Sequence, residues 1–280
     1  MYKDTEKIGL AIITCDRIEF FKNALASVPH TVDHLVVVND GSPYPVATYK
    51  NEGGIDEIIQ HPRNMNVAVS KNDAIRALLK AGCKHIFLME DDITIKSADV
   101  FDHYIACAAA SGIWHLNYGG HGGNNRDPEG KLRVRNTVDY DGGKSIDFYE
   151  HVLGAFSYYY AGVIKHVGLM DERMHNAMEH VEHTYRIIKD NLHPPFWWFA
   201  DAGNSSDYLD DQTENHAGSV IRKDPVVWET NFKRALSIFF SKHGKAPAMG
   251  AEFNIPQPSE QELTESLEFL HKNYVRNDLI

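Results

Sequence analysis

The sequence predicts an α/β domain in which helices flank a mixed, largely parallel sheet, with a helical elaboration at the C-terminal end. Three observations carry this expectation. Short β-branched runs alternate with helical patterns through the first hundred residues, the arrangement of βαβ units. The segment NVAVSKNDAIRALLKAG is a well-signalled amphipathic helix, with Ala68, Ile75, Leu78 and Leu79 on one face and Gly82 as its stop. The run His85 to Met89 reads as a buried strand that ends in three consecutive carboxylates, and a parallel strand delivers its C-terminal residues to the crevice where α/β sheets bind ligands.

Taken in order, IGLAIIT is the first strand, a polar helix spans Arg17 to Ala26, and HLVVVND contains the second strand, Leu35 to Val38. A further crossover and GGIDEIIQH precede the amphipathic helix. From Asn117 to Tyr149 the texture turns to glycine, asparagine and charge, which predicts an exposed loop and then short antiparallel strands. A strand through Ser157 to Gly162 follows, then a helix from Asn176 to Lys189, the aromatic run PPFWWF and a loop rich in Asp, Asn and Ser. Asp224 before Pro225 opens one closing helix, and Ser259 with Glu262 forms a capping box for the last. No internal repeat is present. The expected domain covers residues 1–222, divided into halves at 1–116 and 117–222, with a helical extension at 223–280.

Composition narrows the function classes. At 280 residues with 43% hydrophobic and 24% charged side chains, the chain has globular proportions and can bury a sizeable core. A net charge of -11 opposes wholesale attraction to nucleic acid or anionic lipid. The one candidate basic patch, Lys131, Arg133 and Arg135, reads foremost as the solvated face of an exposed strand. Cys15, Cys83 and Cys107 are odd in number and widely spaced, which indicates reduced thiols and neither a disulfide framework nor a structural zinc site. The start MYKDTEKIGLAIITC holds no apolar stretch of signal-peptide or membrane-span length, so a cytoplasmic protein is expected.

The chemistry concentrates at strand ends. Glu90-Asp91-Asp92 offers the oxygen ligands that a hard cation such as Mg²⁺ or Mn²⁺ takes together with substrate phosphates. Asn39-Asp40-Gly41-Ser42 ends the second strand, where a carboxylate accepts from ribose hydroxyls or a base edge, or simply caps a turn.

The ordered set IITCDR, VVVNDGS, NVAVSKNDAI, FLMEDDI, AGVIKHVGLMDERM and MEHVEHTYRI resembles the inverting GT-A glycosyltransferases, especially family 2 and its relatives, over residues 7 to 220. The resemblance implies a GT-A (Rossmann-like) fold, a UDP-sugar donor and Mn²⁺ or Mg²⁺. It places Thr14 and Asp16 at the nucleotide pocket, Asp40 at the uracil or ribose, and Arg63, Asn66 and Asn72 near the donor. Glu90-Asp91-Asp92 looks like the family's DxD motif, with Asp92 as the direct metal ligand. AMEHVEHTYRI is similar to the helix that supplies the general base, where Glu179 matches the family's glutamate and His180 stands in place of the usual aspartate, so either Glu179 or His180 would act. A retaining mechanism without that base remains an alternative. His216 matches a C-terminal metal-site histidine better than His193 does.

Competing readings attach to several of these residues. Asn66 also fits a helix N-cap, and Asn72 a solvated position. His175, Glu179 and His183, four apart, would project from one helix face as metal ligands do, which suggests a metal-dependent hydrolase. Phe196, Trp197, Trp198 and Phe199 would either stack on a sugar or base or belong to the core, and Asp201 would touch the acceptor or cap a turn. A sugar nucleotidyltransferase would need a glycine-rich phosphate loop that IITCDRIEFF does not offer, and a non-catalytic nucleotide-sugar-binding module would dispense with Asp92. The acceptor implied is a glycan or other hydroxyl compound, with a hydroxymethylated base in phage DNA as the minority case that net charge disfavours.

Overall fold

A computed structural model describes residues 6–51, 53–213, 219–247 and 258–274 of the chain. The central sheet uses β1 (Ile8–Thr14), β2 (His34–Asn39), β3 (Glu57–Gln60), β4 (His85–Glu90), β6 (His115–Asn117) and β9 (Phe156–Tyr160), in the order β3-β2-β1-β4-β9-β6. Strands β1 to β4 are parallel to one another, while β9 runs antiparallel to both β4 and β6. The first and fourth strands are buried almost end to end, which is why they read as unbroken apolar runs.

Two helices on the first half seat this sheet. α1 (Ile18–Ala26) buries Phe21, Ala24 and Leu25. α2 (Val67–Lys80) buries Ala68, Ile75 and Leu78 and is capped by Asn66, whose side chain accepts from the Val69 amide at 3.0 Å. α3 (Val100–Ser111) ends in Gly112, left-handed at φ +79° as a helix C-cap requires. β5 (Ile93–Ile95) pairs with β11 (Leu209–Asp211), and β7 (Asn136–Tyr140), β8 (Lys144–Tyr149) and β10 (Phe199–Ala202) form a second sheet in the order β10-β8-β7. The antiparallel strands expected between Asn117 and Tyr149 are β7 and β8.

The chain departs from expectation at two boundaries. The strand expected from Ser157 to Gly162 stops at Tyr160, because α4 (Ala161–Val167) begins at once. α5 (Glu179–Lys189) starts three residues later than expected, because Asn176 and Met178 take the left-handed conformation (φ +53° and +63°) and turn the chain into the helix.

The closing helices follow their sequence signals. α6 (Pro225–His243) opens on Asp224, whose carboxylate accepts from the Val226 and Val227 amides at 2.9 and 3.1 Å. Before α7 (Glu260–Tyr274), Ser259 and Glu262 exchange reciprocal bonds at 2.6 and 3.2 Å. α6 shares an apolar cluster with Val181 and Tyr185 of α5, and Lys242 and His243 reach the buried Glu182 at 2.7 and 3.0 Å. Leu263 and Leu270 of α7 join the main core. Among the described residues no helix is long and apolar enough to cross a membrane.

The turn after β2 has one backbone demand that only glycine meets. Gly41 sits at φ +82°, and a Cβ there would lie 2.1 Å from the Arg63 carbonyl carbon. Gly41→Ala is expected to lower unfolding stability by at least about 1–3 kcal/mol, the usual cost of such a backbone conformation, in a urea titration.

Candidate active site

The tips of β1, β2 and β4 open onto a cavity of about 280 Å³. Its polar wall is made by Arg17, Asp40, Glu90, Asp92 and His121, and its apolar wall by Val152, Leu153, Met178, Val181, Trp228 and Phe232. Two of these apolar residues come from α6, so the C-terminal extension helps to build the site.

The acidic trio is pinned by its own backbone. The Glu90 amide donates to the Ala155 carbonyl at 2.7 Å and the Asp91 amide to that of Ile13 at 3.1 Å. Gln212 donates to the Asp91 carbonyl at 2.9 Å, and its amide donates to the Asp92 carbonyl at 2.7 Å. The three side chains then diverge. Asp91 is wholly buried and accepts from Thr14 Oγ1 at 2.7 Å and from the Arg17 guanidinium; burial pushes its carboxyl up to about 7 against the pull of Arg17. Asp92 Oδ2 accepts from Arg17 at 2.8 Å, while Asp92 Oδ1 is buried with no hydrogen-bond partner among the described residues. Arg17 Nε is buried and unpartnered in the same way. These atoms belong to cavity-lining residues, and an uncompensated buried polar atom carries a desolvation cost.

Glu90 turns the other way, to Lys71 of α2 at 2.8 Å. Lys71 is 1% exposed; its ammonium also meets Glu179 Oε1 at 3.3 Å and the Gly154 carbonyl at 2.9 Å. Burial alone would lower the lysine and raise both glutamates, but their ion pairs, with His180 adding to the effect on Glu179, reverse all three directions: Lys71 titrates above its ordinary range, and Glu90 and Glu179 below theirs. Beside Glu179, His180 Nδ1 lies 3.0 Å from Oε1. His121 also lines the cavity, and its Nδ1 lies 3.0 Å from Asp211. Burial would lower this imidazole, yet the Asp211 hydrogen bond and the charges of Asp92 and Asp211 raise it above the ordinary histidine value.

Of the residues the sequence put forward, the structure brings Asp40, Glu90, Asp92, Glu179 and His180 to the cavity. Asp40 Oδ1 accepts from the Met65 amide at 2.7 Å and meets His61 Nδ1 at 2.8 Å. Thr14 and Asp91 are buried outside the cavity lining, where Thr14 donates to Asp91 and Asp91 in turn holds Arg17. Asp16, at φ +55°, is an exposed turn residue whose amide donates to Ser42. Arg63 is exposed and does not line the cavity. Asn72 exchanges bonds of 2.9 and 3.0 Å with the Met170 backbone, so it ties α2 to a neighbouring loop instead of facing a donor or solvent. His216 lies outside the described residues.

Other expectations are corrected. The trio His175, Glu179 and His183 does not share a helix face: His175 precedes α5, and His183 is buried with Nε2 donating to the Gly168 carbonyl at 2.8 Å. Among the described residues no three His, Cys, Asp or Glu gather in a way that would hold a metal by themselves. The aromatic run offers no stacking platform, because Trp197 is 1% and Trp198 3% exposed and both flanking phenylalanines are buried. Asp201 is fully buried and accepts from Tyr104, Ser205 and the Gly119 amide, which makes it a tie between loops. Lys131, Arg133 and Arg135 precede β7 instead of lying on a strand, and Arg135 packs over the Trp198 ring at 4.0 Å. Cys15, Cys83 and Cys107 are free thiols, as expected.

Arg17, Lys71 and His121 were not among the residues singled out. Lys71 carried a readable signal: it falls between Ala68 and Ile75 at helical spacing, a charge inside the apolar stripe of α2. Arg17 follows the first strand in IITCDR, a run that the sequence had already marked.

Comparison with known proteins gives structural likeness without sequence likeness. No family model matches the chain, and no curated protein matches it in sequence. Residues 1–349 of S. aureus TarS superpose on it with a TM-score of 0.50 at 14% identity, covering 94% of this chain and 83% of that one. GalNAc-T7, in a crystal structure with UDP, GalNAc and Mn²⁺, superposes with a TM-score of 0.55 at 10% identity over 96% of this chain. The fold is that of the GT-A glycosyltransferases. This chain spans about half of GalNAc-T7, 55% of its length.

A hard cation fits the GT-A site as built here. Asp92 Oδ1 supplies one buried, unpaired carboxylate oxygen, and Mg²⁺ or Mn²⁺ needs only one or two such ligands when substrate phosphates complete the shell. Two measurements check the electrostatics of the buried groups, Lys71 beside the cavity and three histidines that do not line it. Lys71→Met leaves Glu90 and Glu179 facing each other without a counter-charge and is expected to cost about 3–5 kcal/mol in denaturant unfolding. Burial holds His85, His183 and His193 neutral, each down to about 4. The unfolded chain then binds more protons between pH 6.5 and 4, so stability falls with acidification across that window, and His193→Gln is expected to flatten the fall measurably.

Proposed function

We propose that this chain is a metal-dependent glycosyltransferase that moves a sugar from a UDP-type donor to an acceptor hydroxyl with inversion. The observation that carries the reading is the pair of partnerless buried atoms, Asp92 Oδ1 just after β4 and Arg17 Nε just after β1, on cavity-lining residues of a GT-A sheet. One is an oxygen ligand and the other an N–H donor, the two kinds of group that a nucleotide diphosphate with its cation requires.

In this reading Asp40, at the tip of β2, accepts from the ribose or the base. Arg17 donates to a diphosphate oxygen. Asp92 would hold Mn²⁺ or Mg²⁺, the ion with which GalNAc-T7 is seen being Mn²⁺, and the cation would neutralise charge on the departing diphosphate. The Glu179–His180 pair also lines the cavity and takes the acceptor proton. The apolar wall from Val152 to Phe232 suits the less polar face of a sugar ring, so the acceptor we favour is a glycan. A DNA acceptor loses its motivation, since Arg135 is packed over Trp198 and does not continue a basic row. The unpaired thiols agree with a cytoplasmic location.

A thermal-shift titration tests the donor site. UDP with Mn²⁺ at about 100 times its Kd should add about 2.7 kcal/mol of stability. Asp92→Asn should remain folded and lose the metal-dependent part of that gain. No shift with UDP or GDP, with or without Mn²⁺, would contradict the reading.

A further inference from the structure

Glu179 is the residue that sequence likeness marks first as the general base, and its surroundings argue against that duty. The carboxylate is 3% exposed, and one oxygen, Oε1, already serves two cationic or N–H partners: Lys71 Nζ at 3.3 Å and His180 Nδ1 at 3.0 Å. The Lys71 ammonium and the hydrogen bond from His180 act against burial and favour the ionised form of this carboxyl, so it is a reluctant proton acceptor.

The neighbouring imidazole has the complementary properties. His180 lines the cavity, its side chain is 22% exposed, and its Nε2 takes no hydrogen bond among the described residues. With Nδ1–H donated to Glu179, the tautomer is fixed and Nε2 carries the free lone pair. The backbone is shaped around this pair. A Cβ on Gly154 would lie 2.8 Å from His180 Nδ1 and 3.0 Å from Lys71 Nζ, so a side chain there would push on the dyad.

We propose that the His180 imidazole is the general base, that Glu179 is the positioning residue that orients it, and that Lys71 fixes Glu179. The proposal rests on the glycosyltransferase reading above. In the step, Nε2 takes the proton of the acceptor hydroxyl as that oxygen bonds to the anomeric carbon. The bond from the anomeric carbon to the donor phosphate oxygen breaks, and its electron pair leaves on the nucleoside diphosphate. Glu179 stays ionised throughout and faces the imidazolium that forms.

The test has two arms. In ¹⁵N-histidine-labelled protein at a pH where imidazole is neutral, long-range ¹H–¹⁵N correlation should show His180 as the Nδ1–H tautomer, with His180→Gln giving the assignment. An Nε2–H tautomer would overturn the proposal, whether or not turnover is seen. In the second arm, UDP release from UDP-GalNAc, UDP-GlcNAc and UDP-glucose is followed. His180→Ala should slow it about 10²–10⁴-fold, with millimolar imidazole restoring part of the rate. Glu179→Gln should slow it about 10–100-fold, with no rescue. Full turnover in His180→Ala together with loss in Glu179→Gln would also overturn the assignment. The UDP–Mn²⁺ thermal shift should persist in both variants. Its absence from the wild type would remove the donor reading while the tautomer still decides the role of His180.

Discussion

The arrangement of the site depends on one buried cation. Lys71 has almost no exposure, and an ammonium in that position is tolerable only with opposite charge and hydrogen-bond acceptors around it. It finds them in three separate parts of the chain: Glu90 at the end of β4, Glu179 at the start of α5, and the Gly154 carbonyl before β9. The requirement to satisfy that ammonium therefore sets the distance between the acidic trio and the Glu179–His180 pair. Neither glutamate is stable there alone, so the three groups behave as a unit, and the two ends of the site cannot drift independently.

Around this fixed point the sheet does the coarse positioning. Parallel strands β1, β2 and β4 end at one edge, which brings Arg17, Asp40, Glu90 and Asp92 to one cavity. The antiparallel β9 pairs with β4, and the 152–155 segment before it reaches the apolar wall of the cavity. α6 completes that wall with Trp228 and Phe232, and its C-terminal end is anchored by Lys242 and His243 on Glu182. The result is a cleft with charge on the strand-tip side and apolar surface on the other, a division that suits a diphosphate at one end and a sugar ring at the other.

Much of the fold was legible in the sequence because its signals are local. Strands β1 and β4 are buried on both faces and so are written as unbroken apolar runs, and α2, α6 and α7 announce their caps. The strand tips Asp40 and Asp92 were legible for the same reason, since a carboxylate directly after an apolar strand has a defined position. What stayed hidden depends on pairing across the chain. The ion pairs of Arg17 with Asp91 and Asp92 span more than seventy residues, and no spacing rule connects them. The left-handed turns at Asn176 and Met178, which take His175 off the helix, carry only a weak local signature in a methionine. Asn72 resembles a solvated helix residue until the 170–172 loop is seen folded over it.

The central claim is that a nucleoside diphosphate and its cation meet this chain at Asp92. The most direct measurement is anomalous scattering from manganese in crystals soaked with UDP and Mn²⁺. The account predicts a single ordered manganese bonded to Asp92 Oδ1, with diphosphate oxygens in its shell and the uridine toward Asp40. A manganese ordered elsewhere, or UDP bound away from the tips of β2 and β4, would contradict it.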